Sequence, residues 1–204
     1  GFTAKQGLAT ADDFRFLRLW WEVPNNVDWQ NFAKGGTYSL YYSDVHLVVN
    51  WKDNGKELSK FSGSVIRNPQ FYFSPGLTWP LRTQSGLGMR LLPAGCIFGH
   101  KGPAIFSDSD CERDLLALLS VTTSSLYSNL IELHMAFGSY EVGAIQRNPL
   151  PELSDSDTDH LADLASAAWI LKRKLDFDSE VSHAYIMPAV FIEKLLKESK
   201  EAIG

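Results

Sequence analysis

Over its first hundred residues the chain carries its apolar side chains in short β-branched and aromatic bursts separated by Gly, Pro, Asn and Asp; after that, they recur at helical spacing. The bursts predict strands at residues 14–23, 38–42 and 45–51. The last of these runs into Asp53-Asn54-Gly55, a sequence suited to backbone with positive φ. Further short strands are expected at 77–83, 87–92, 96–98 and 104–106, each bounded by Gly or Pro. Ser107-Asp108-Ser109-Asp110 looks like a helix start with acids at the positive end of the dipole, followed by Leu115, Leu116, Leu118 and Leu119. A second helix is expected at 124–135. In the last quarter, residues 154–159 offer several N-caps, and Leu161, Leu164, Ala165, Ala168 and Leu171 or Lys172 trace one face. Pro188 is placed to open a final helix with Phe191, Ile192, Leu195 and Leu196 inward. Pro149, Pro151 and the acidic Ser/Asp run behind them mark a boundary. The expected fold is therefore α+β, a β-rich domain over 1–151 followed by a helical tail over 152–204.

A chain of 204 residues at 45% hydrophobic composition is long enough for one well-buried core, with or without an appended helical piece. No run of eighteen apolar residues and no charged-then-apolar leader occurs, so a cytoplasmic protein without a membrane partner is expected. The opening residues, Gly1 onward, look like the middle of a longer protein, and an excised domain is expected. Cys96 and Cys111 are too few for a disulfide framework or a metal knuckle.

Charge is unevenly spread. Residues 152–204 hold 11 acids and 6 bases, whereas 1–151 hold 13 of each, so the net charge of −5 belongs entirely to the C-terminal part. A protein that wraps nucleic acid unaided is usually basic, because phosphate neutralisation supplies most of the affinity. Residues 58–107 nevertheless contain no Asp or Glu, while Lys60, Arg67, Arg82, Arg90 and Lys101 alternate there with Phe71, Tyr72, Phe73, Trp79 and Phe98. Such a run fits a local surface for a polyanion, with a larger partner or attached domain supplying the rest of the attraction. It also fits Gly/Pro-rich strands whose bases face water.

Enzymatic signatures are absent. There is no G-x-G-x-x-G, P-loop, H-E-x-x-H or G-x-S-x-G, and no two of His46, His100, His134, His160 and His183 lie at ligand spacing on one helix face. Glu198-Ser199-Lys200 has the spacing of a nuclease triplet but sits in a charged helical context, where a solvated face is the ordinary reading. No catalytic or metal site is expected.

The order of short motifs is more telling. Gly7-Leu8-Ala9-Thr10-Ala11-Asp12-Asp13, Arg15-Phe16-Leu17-Arg18 and Trp21-Glu22-Val23 lead into Lys34-Gly35-Gly36, Val48-Val49-Asn50-Trp51 and Asn54-Gly55. Pro75-Gly76-Leu77-Thr78-Trp79, Arg82-Thr83, Arg90, Leu92-Pro93-Ala94-Gly95-Cys96-Ile97-Phe98 and Gly102-Pro103-Ala104 follow. Then come Gly138-Ser139-Tyr140, Ile145-Gln146-Arg147-Asn148-Pro149, Ala168-Trp169 and Ser182-His183-Ala184. This series resembles the segment behind the catalytic motif in large adenine-specific DNA methyltransferases of phage defence, the type IIG restriction-modification enzymes and the PglX-like enzymes of BREX systems.

The resemblance implies a target recognition domain that reads double-stranded DNA while a covalently linked catalytic domain flips and methylates adenine. S-adenosylmethionine belongs to that other domain, and no cofactor is expected on this chain. Asn68-Pro69-Gln70 and Asn148-Pro149-Leu150 both lack the second proline and the aromatic of the family's catalytic Asn-Pro-Pro-Tyr motif. The candidate DNA-binding residues are Lys34, Arg67, Tyr72, Arg82, Thr83, Gln84, Ser85, Arg90 and Lys101. Arg82 and Arg90 carry the planar fork that matches the two acceptors of guanine, and Thr83, Gln84 and Ser85 donate or accept beside it. The alternative class is a β-rich carbohydrate- or protein-binding module; an enzyme site built from Asp44, Asp53 and Glu57 is a third. Convergence of Arg67, Arg82, Arg90 and Lys101 on one concave face separates the first from the second.

Overall fold

The computed structural model describes residues 1–108, 111–135 and 138–192. Its strands are β1 (Phe2–Lys5), β2 (Leu17–Leu19), β3 (Trp29–Ala33), β4 (Leu47–Asn50), β5 (Gly76–Thr78), β6 (Arg90–Leu92), β7 (Cys96–Phe98) and β8 (Ala104–Ser107). Its helices are α1 (Asp13–Phe16), α2 (Lys52–Lys60), α3 (Glu112–Thr122), α4 (Ser125–Glu132), α5 (Val142–Arg147) and α6 (Asp155–Lys174). The strands form two sheets, ordered β1-β8-β5-β6 and β2-β4-β3-β7. All pairings are antiparallel except that of β3 with β7, where Asn31, Phe32 and Ala33 run alongside Cys96, Ile97 and Phe98. The fold is α+β, as the patterning predicts.

Strand periodicity explains the layering. Along β8, Ala104 and Phe106 enter one core with Phe32, Val49, Ile97 and Phe98, while Ile105 between them enters another with Leu77, Trp79, Leu118 and Leu119. Successive side chains of a strand point to opposite faces, so the first sheet is a middle layer with an apolar requirement on both sides. The second sheet covers one side. Helices α3, α4, α5 and α6 cover the other, contributing Leu115, Ile131, Ile145 and Ala165 among others. This is why β5 is buried at every position and β8 at every position but Ser107, instead of at alternate ones.

Several expected elements take a different form. Residues 14–23 are not one strand, because the Asp12 carboxylate accepts from the Arg15 amide and starts α1; only Leu17–Leu19 pair, and Trp20–Glu22 close as a tight helical turn. Residues 38–42 make a single bridge, Tyr41 beside Arg90, with Tyr41 at φ 67°. Asp53, Asn54 and Gly55 all take positive φ as the sequence suggests, but they form a kink within α2 instead of a turn between two strands. β1, β3 and α5 lie where no element is expected.

Helix α3 starts at Glu112, and Ser109 and Asp110 of the expected start lie outside the described residues, as do Leu195, Leu196 and the Glu198-Ser199-Lys200 triplet. Helix α6 packs along α3 through Ala162 and Ala165, with the Ser120 hydroxyl donating to the Leu161 carbonyl at 2.7 Å. Leu164 and Leu171, expected inward, are instead 52% and 65% exposed. Small residues allow close helix approach, and here they decide which face turns in. No helix among the described residues is long and apolar enough to cross a membrane.

Candidate nucleic-acid interface

Parallel pairing brings β3 and β7 out of their sheet at the same end, and each is followed by a glycine loop, 34–36 and 99–102. The two loops touch backbone to backbone. A Cβ on Gly35, which sits at φ +109°, would lie 2.2 Å from the Lys101 carbonyl oxygen, and one on Gly102 would lie 2.4 Å from the Gly35 nitrogen. Only glycine fits at such an approach. The Leu8 amide donates to the Phe98 carbonyl at 2.9 Å and the His100 amide to the Leu8 carbonyl at 2.8 Å, which ties the N-terminal segment to the same loop. The Leu81 amide donates to the Lys101 carbonyl at 2.9 Å, and the Tyr140 amide to the Leu81 carbonyl at 2.8 Å.

These ties gather side chains from four distant stretches of sequence around one open cleft of about 630 Å³. Lys34, Gly36, Arg82, His100, Lys101 and Glu141 line it. A smaller cavity of about 190 Å³ shares Lys34, His100 and Lys101 and adds Thr10 and Asp13. Asp13 accepts from the Lys34 ammonium and, at 2.6 Å, from the Thr10 hydroxyl. Burial would raise its pKa, but Lys34, Thr10 and the charge of Lys101 outweigh burial and hold the carboxyl below its ordinary value. Lys34 is thereby committed to Asp13, whereas Arg82 and Lys101 project from exposed positions.

Arg82 is aimed. Its Nε donates to the Ser139 hydroxyl at 2.6 Å, while its backbone bridges Ser139. The two terminal guanidinium nitrogens then form the leading edge of the side chain. Thr83, Gln84 and Ser85 follow Arg82 in sequence but are not among the residues that line the cleft; the Ser85 amide donates to the Thr83 hydroxyl oxygen at 3.0 Å.

The remaining candidates lie elsewhere. Arg90 is 4% exposed and donates to the Thr37 carbonyl at 2.9 Å, and burial lowers its pKa to about 10, so it stays charged at neutral pH inside the protein. It holds the 34–42 loop in place. Tyr72 is 5% exposed and packs edge-on against Trp51 and Phe98; burial raises its phenol pKa. Trp79 is fully buried, its indole donating to the Tyr140 carbonyl at 2.8 Å. Arg67 is half-buried and outside the cleft. The cationic residues therefore converge in part: Lys34, Arg82 and Lys101 share a concavity, and Arg67 and Arg90 do not. His100, Ser139 and Glu141 were not singled out individually from sequence. His100 falls in the acid-free run, and Ser139 lies in the Gly138-Ser139-Tyr140 motif that Glu141 follows.

A second polar cluster involves one of the carboxylates weighed above, but not as an assembled acid set. Asp44 lies between His46 and His183, whereas Glu57 pairs with Arg15 on the surface at 2.6 Å. Among the described residues no group of His, Cys, Asp and Glu is placed to hold a metal.

The geometry is that of an α+β domain with a modestly cationic, glycine-walled cleft. No family model matches the chain. It is similar to the adenine-specific methyltransferase BrxX of Escherichia coli O9:H4 (strain HS), 28% identical over 178 residues that cover 82% of this chain and 14% of that protein. It is also similar to the adenine-specific methyltransferase PglX of Lacticaseibacillus casei (strain Zhang), 25% identical over 169 residues, 72% of this chain and 14% of the relative. The chain spans about 14% of the length of the curated relatives it matches.

Proposed function

We propose that this chain is the DNA sequence recognition domain of an adenine-specific DNA methyltransferase of a BREX-like phage-defence or restriction-modification system. The observation that carries this reading is the cleft where Lys34 and Lys101, on the glycine loops, meet Arg82, in a chain similar to a small part of two adenine-specific methyltransferases. In this reading the duplex lies across the cleft. Lys101 meets phosphate, the Gly35 and Gly102 loops let the backbone approach, and Arg82 with Thr83, Gln84 and Ser85 faces base edges. Methyl transfer and S-adenosylmethionine belong to a linked catalytic domain.

The test is duplex binding by the purified chain at low salt, followed by fluorescence anisotropy, beside calorimetry with S-adenosylmethionine. The expected results are salt-sensitive duplex binding and no cofactor binding. Tight cofactor binding, or failure to retain duplex DNA at any salt concentration, overturns the reading.

A protein-binding role is favoured by one further observation. Leu164, Leu171 and Leu175 lie on one side of α6 at 52%, 65% and 68% exposure, an unpaired apolar stripe of the kind that contacts protein. It is compatible with DNA reading, since the stripe and the cleft use different residues.

A further inference from the structure

Glu141 is out of place in a cleft for a polyanion. It stands at the N-cap position of α5, yet its side chain makes no capping hydrogen bond, and it lines the cleft together with Arg82. The carboxylate belongs to no salt bridge among the described residues, although Arg82 and Lys101 line the same concavity. Against phosphate it would only repel. Against a base edge it can only accept, and of the two amino donors in the major groove, adenine N6 and cytosine N4, a carboxylate ordinarily takes cytosine N4.

Arg82 supplies the other half. Because Nε is engaged by Ser139 at 2.6 Å, the guanidinium can approach a base only end-on, with its two terminal nitrogens side by side. That is the donor pair that matches guanine O6 and N7. One residue that can only donate and one that can only accept thus line a single cleft. A G·C pair shows in the major groove two acceptors on one base and a donor on the other.

Resting on the DNA-recognition reading above, we propose that Glu141 and Arg82 together determine specificity for one G·C pair in the recognised sequence, Arg82 taking the guanine and Glu141 the cytosine. Ser139 is a positioning residue for Arg82. Glutamine at 141 both donates and accepts, so Glu141→Gln keeps the shape and removes the demand for a pure donor.

Selection of bound duplexes from a randomised library by the purified chain at low salt, read by sequencing, tests this, with a thermal melt of each variant beside it. Wild type is expected to enrich one invariant G·C pair. Arg82→Ala should lose that enrichment by about tenfold or more. Glu141→Gln should admit A·T at the same pair while total duplex binding holds or rises and the melt stays unchanged. If Glu141→Gln strengthens binding to all duplexes alike with the preference unaltered, Glu141 is only a repulsive neighbour and the proposal falls. If it lowers the melting temperature with the preference unaltered, Glu141 serves the helix start and the proposal also falls. A wild-type chain that retains duplex without base preference sinks the G·C assignment while leaving DNA binding standing; no retention at all removes the reading on which it rests.

Discussion

The cleft and the Asp44 cluster draw on the same kinds of side chain and arrange them in opposite ways. Around Asp44 the polar groups are engaged with one another. Its carboxylate, 6% exposed, accepts from the His183 amide at 3.0 Å and lies 3.2 Å from His183 Nδ1 and 3.3 Å from His46 Nδ1. The Trp20 indole donates to the Val181 carbonyl at 3.1 Å and its ring lies 4.9 Å from that of His183. The arrangement pins the segment after α6 to the turn after β2. Beside the cleft Asp13 pairs with Lys34, but within it Lys101, Glu141 and the outer edge of Arg82 form no ion pair with one another. Charges that satisfy each other hold a fold together; charges fixed in place without satisfying each other are available to a ligand.

Two arginines of the acid-free run offer the sharpest way to break this comparison. Arg90→Ala removes a buried side chain and leaves the Thr37 carbonyl without its donor, and it should cost about 2–3 kcal/mol in urea unfolding. Arg82→Ala should cost less, about 1 kcal/mol, since the Arg82 side chain is exposed and its loss leaves only the buried Ser139 hydroxyl without a partner. Equal losses for the two would erase the distinction between structural and available arginines.

Acid provides the second test. The Asp44 carboxyl is desolvated, which raises its pKa, but the His183 and His46 contacts prevail and bring it from 3.8 down to about 2. A depressed carboxylate pKa contributes stability that is fully present above the unfolded value and is lost as pH falls through the folded one. About 2 kcal/mol should therefore disappear between roughly pH 4 and pH 2. Asp44→Asn should remove that part of the acid transition and lower stability at pH 7 by a similar amount, measured by denaturant melts across the pH range. A pH profile identical to wild type would mean the carboxylate is not what holds residues 181–183.

How much of this was legible in the sequence depends on the range of the interaction. Gly and Pro punctuation locates β7 and β8 to within a residue, because both are fixed by local turns at Gly95, Gly99 and Pro103. β3 is invisible, since Gln30 and Asn31 interrupt its apolar residues and it gains strand form through its partners β4 and β7. The inward face of α6 is misread in part for a related reason: Ala165 is buried as expected, but Leu164 and Leu171, which have the stronger apolar signal, turn outward while close approach to α3 brings in Ala162. At the site, the acid-free run contains Arg82, His100 and Lys101, yet composition cannot separate them from Arg90, whose burial follows from the pairing of β6 with β5. Glu141 was hidden altogether, because it reaches the cleft only through the contact of Tyr140 with Leu81 across the fold.

The smallest effect on stability is expected at Lys101, and it is the most informative about the cleft. Lys101 is exposed, and its backbone carbonyl, not its side chain, holds the loop by accepting from the Leu81 amide. Lys101→Ala should leave the unfolding free energy within about 0.5 kcal/mol of wild type. If the ammonium meets a phosphate, the same change should weaken duplex binding for all sequences alike and reduce the slope of log affinity against log salt by about one. Arg82→Ala, by contrast, should flatten base preference, because a base contact carries sequence information and a phosphate contact does not. Measuring both variants on a matched and a mismatched duplex at several salt concentrations keeps the two roles apart. A Lys101→Ala variant with an unchanged salt slope would place the duplex away from the 99–102 loop, even if the chain still binds DNA.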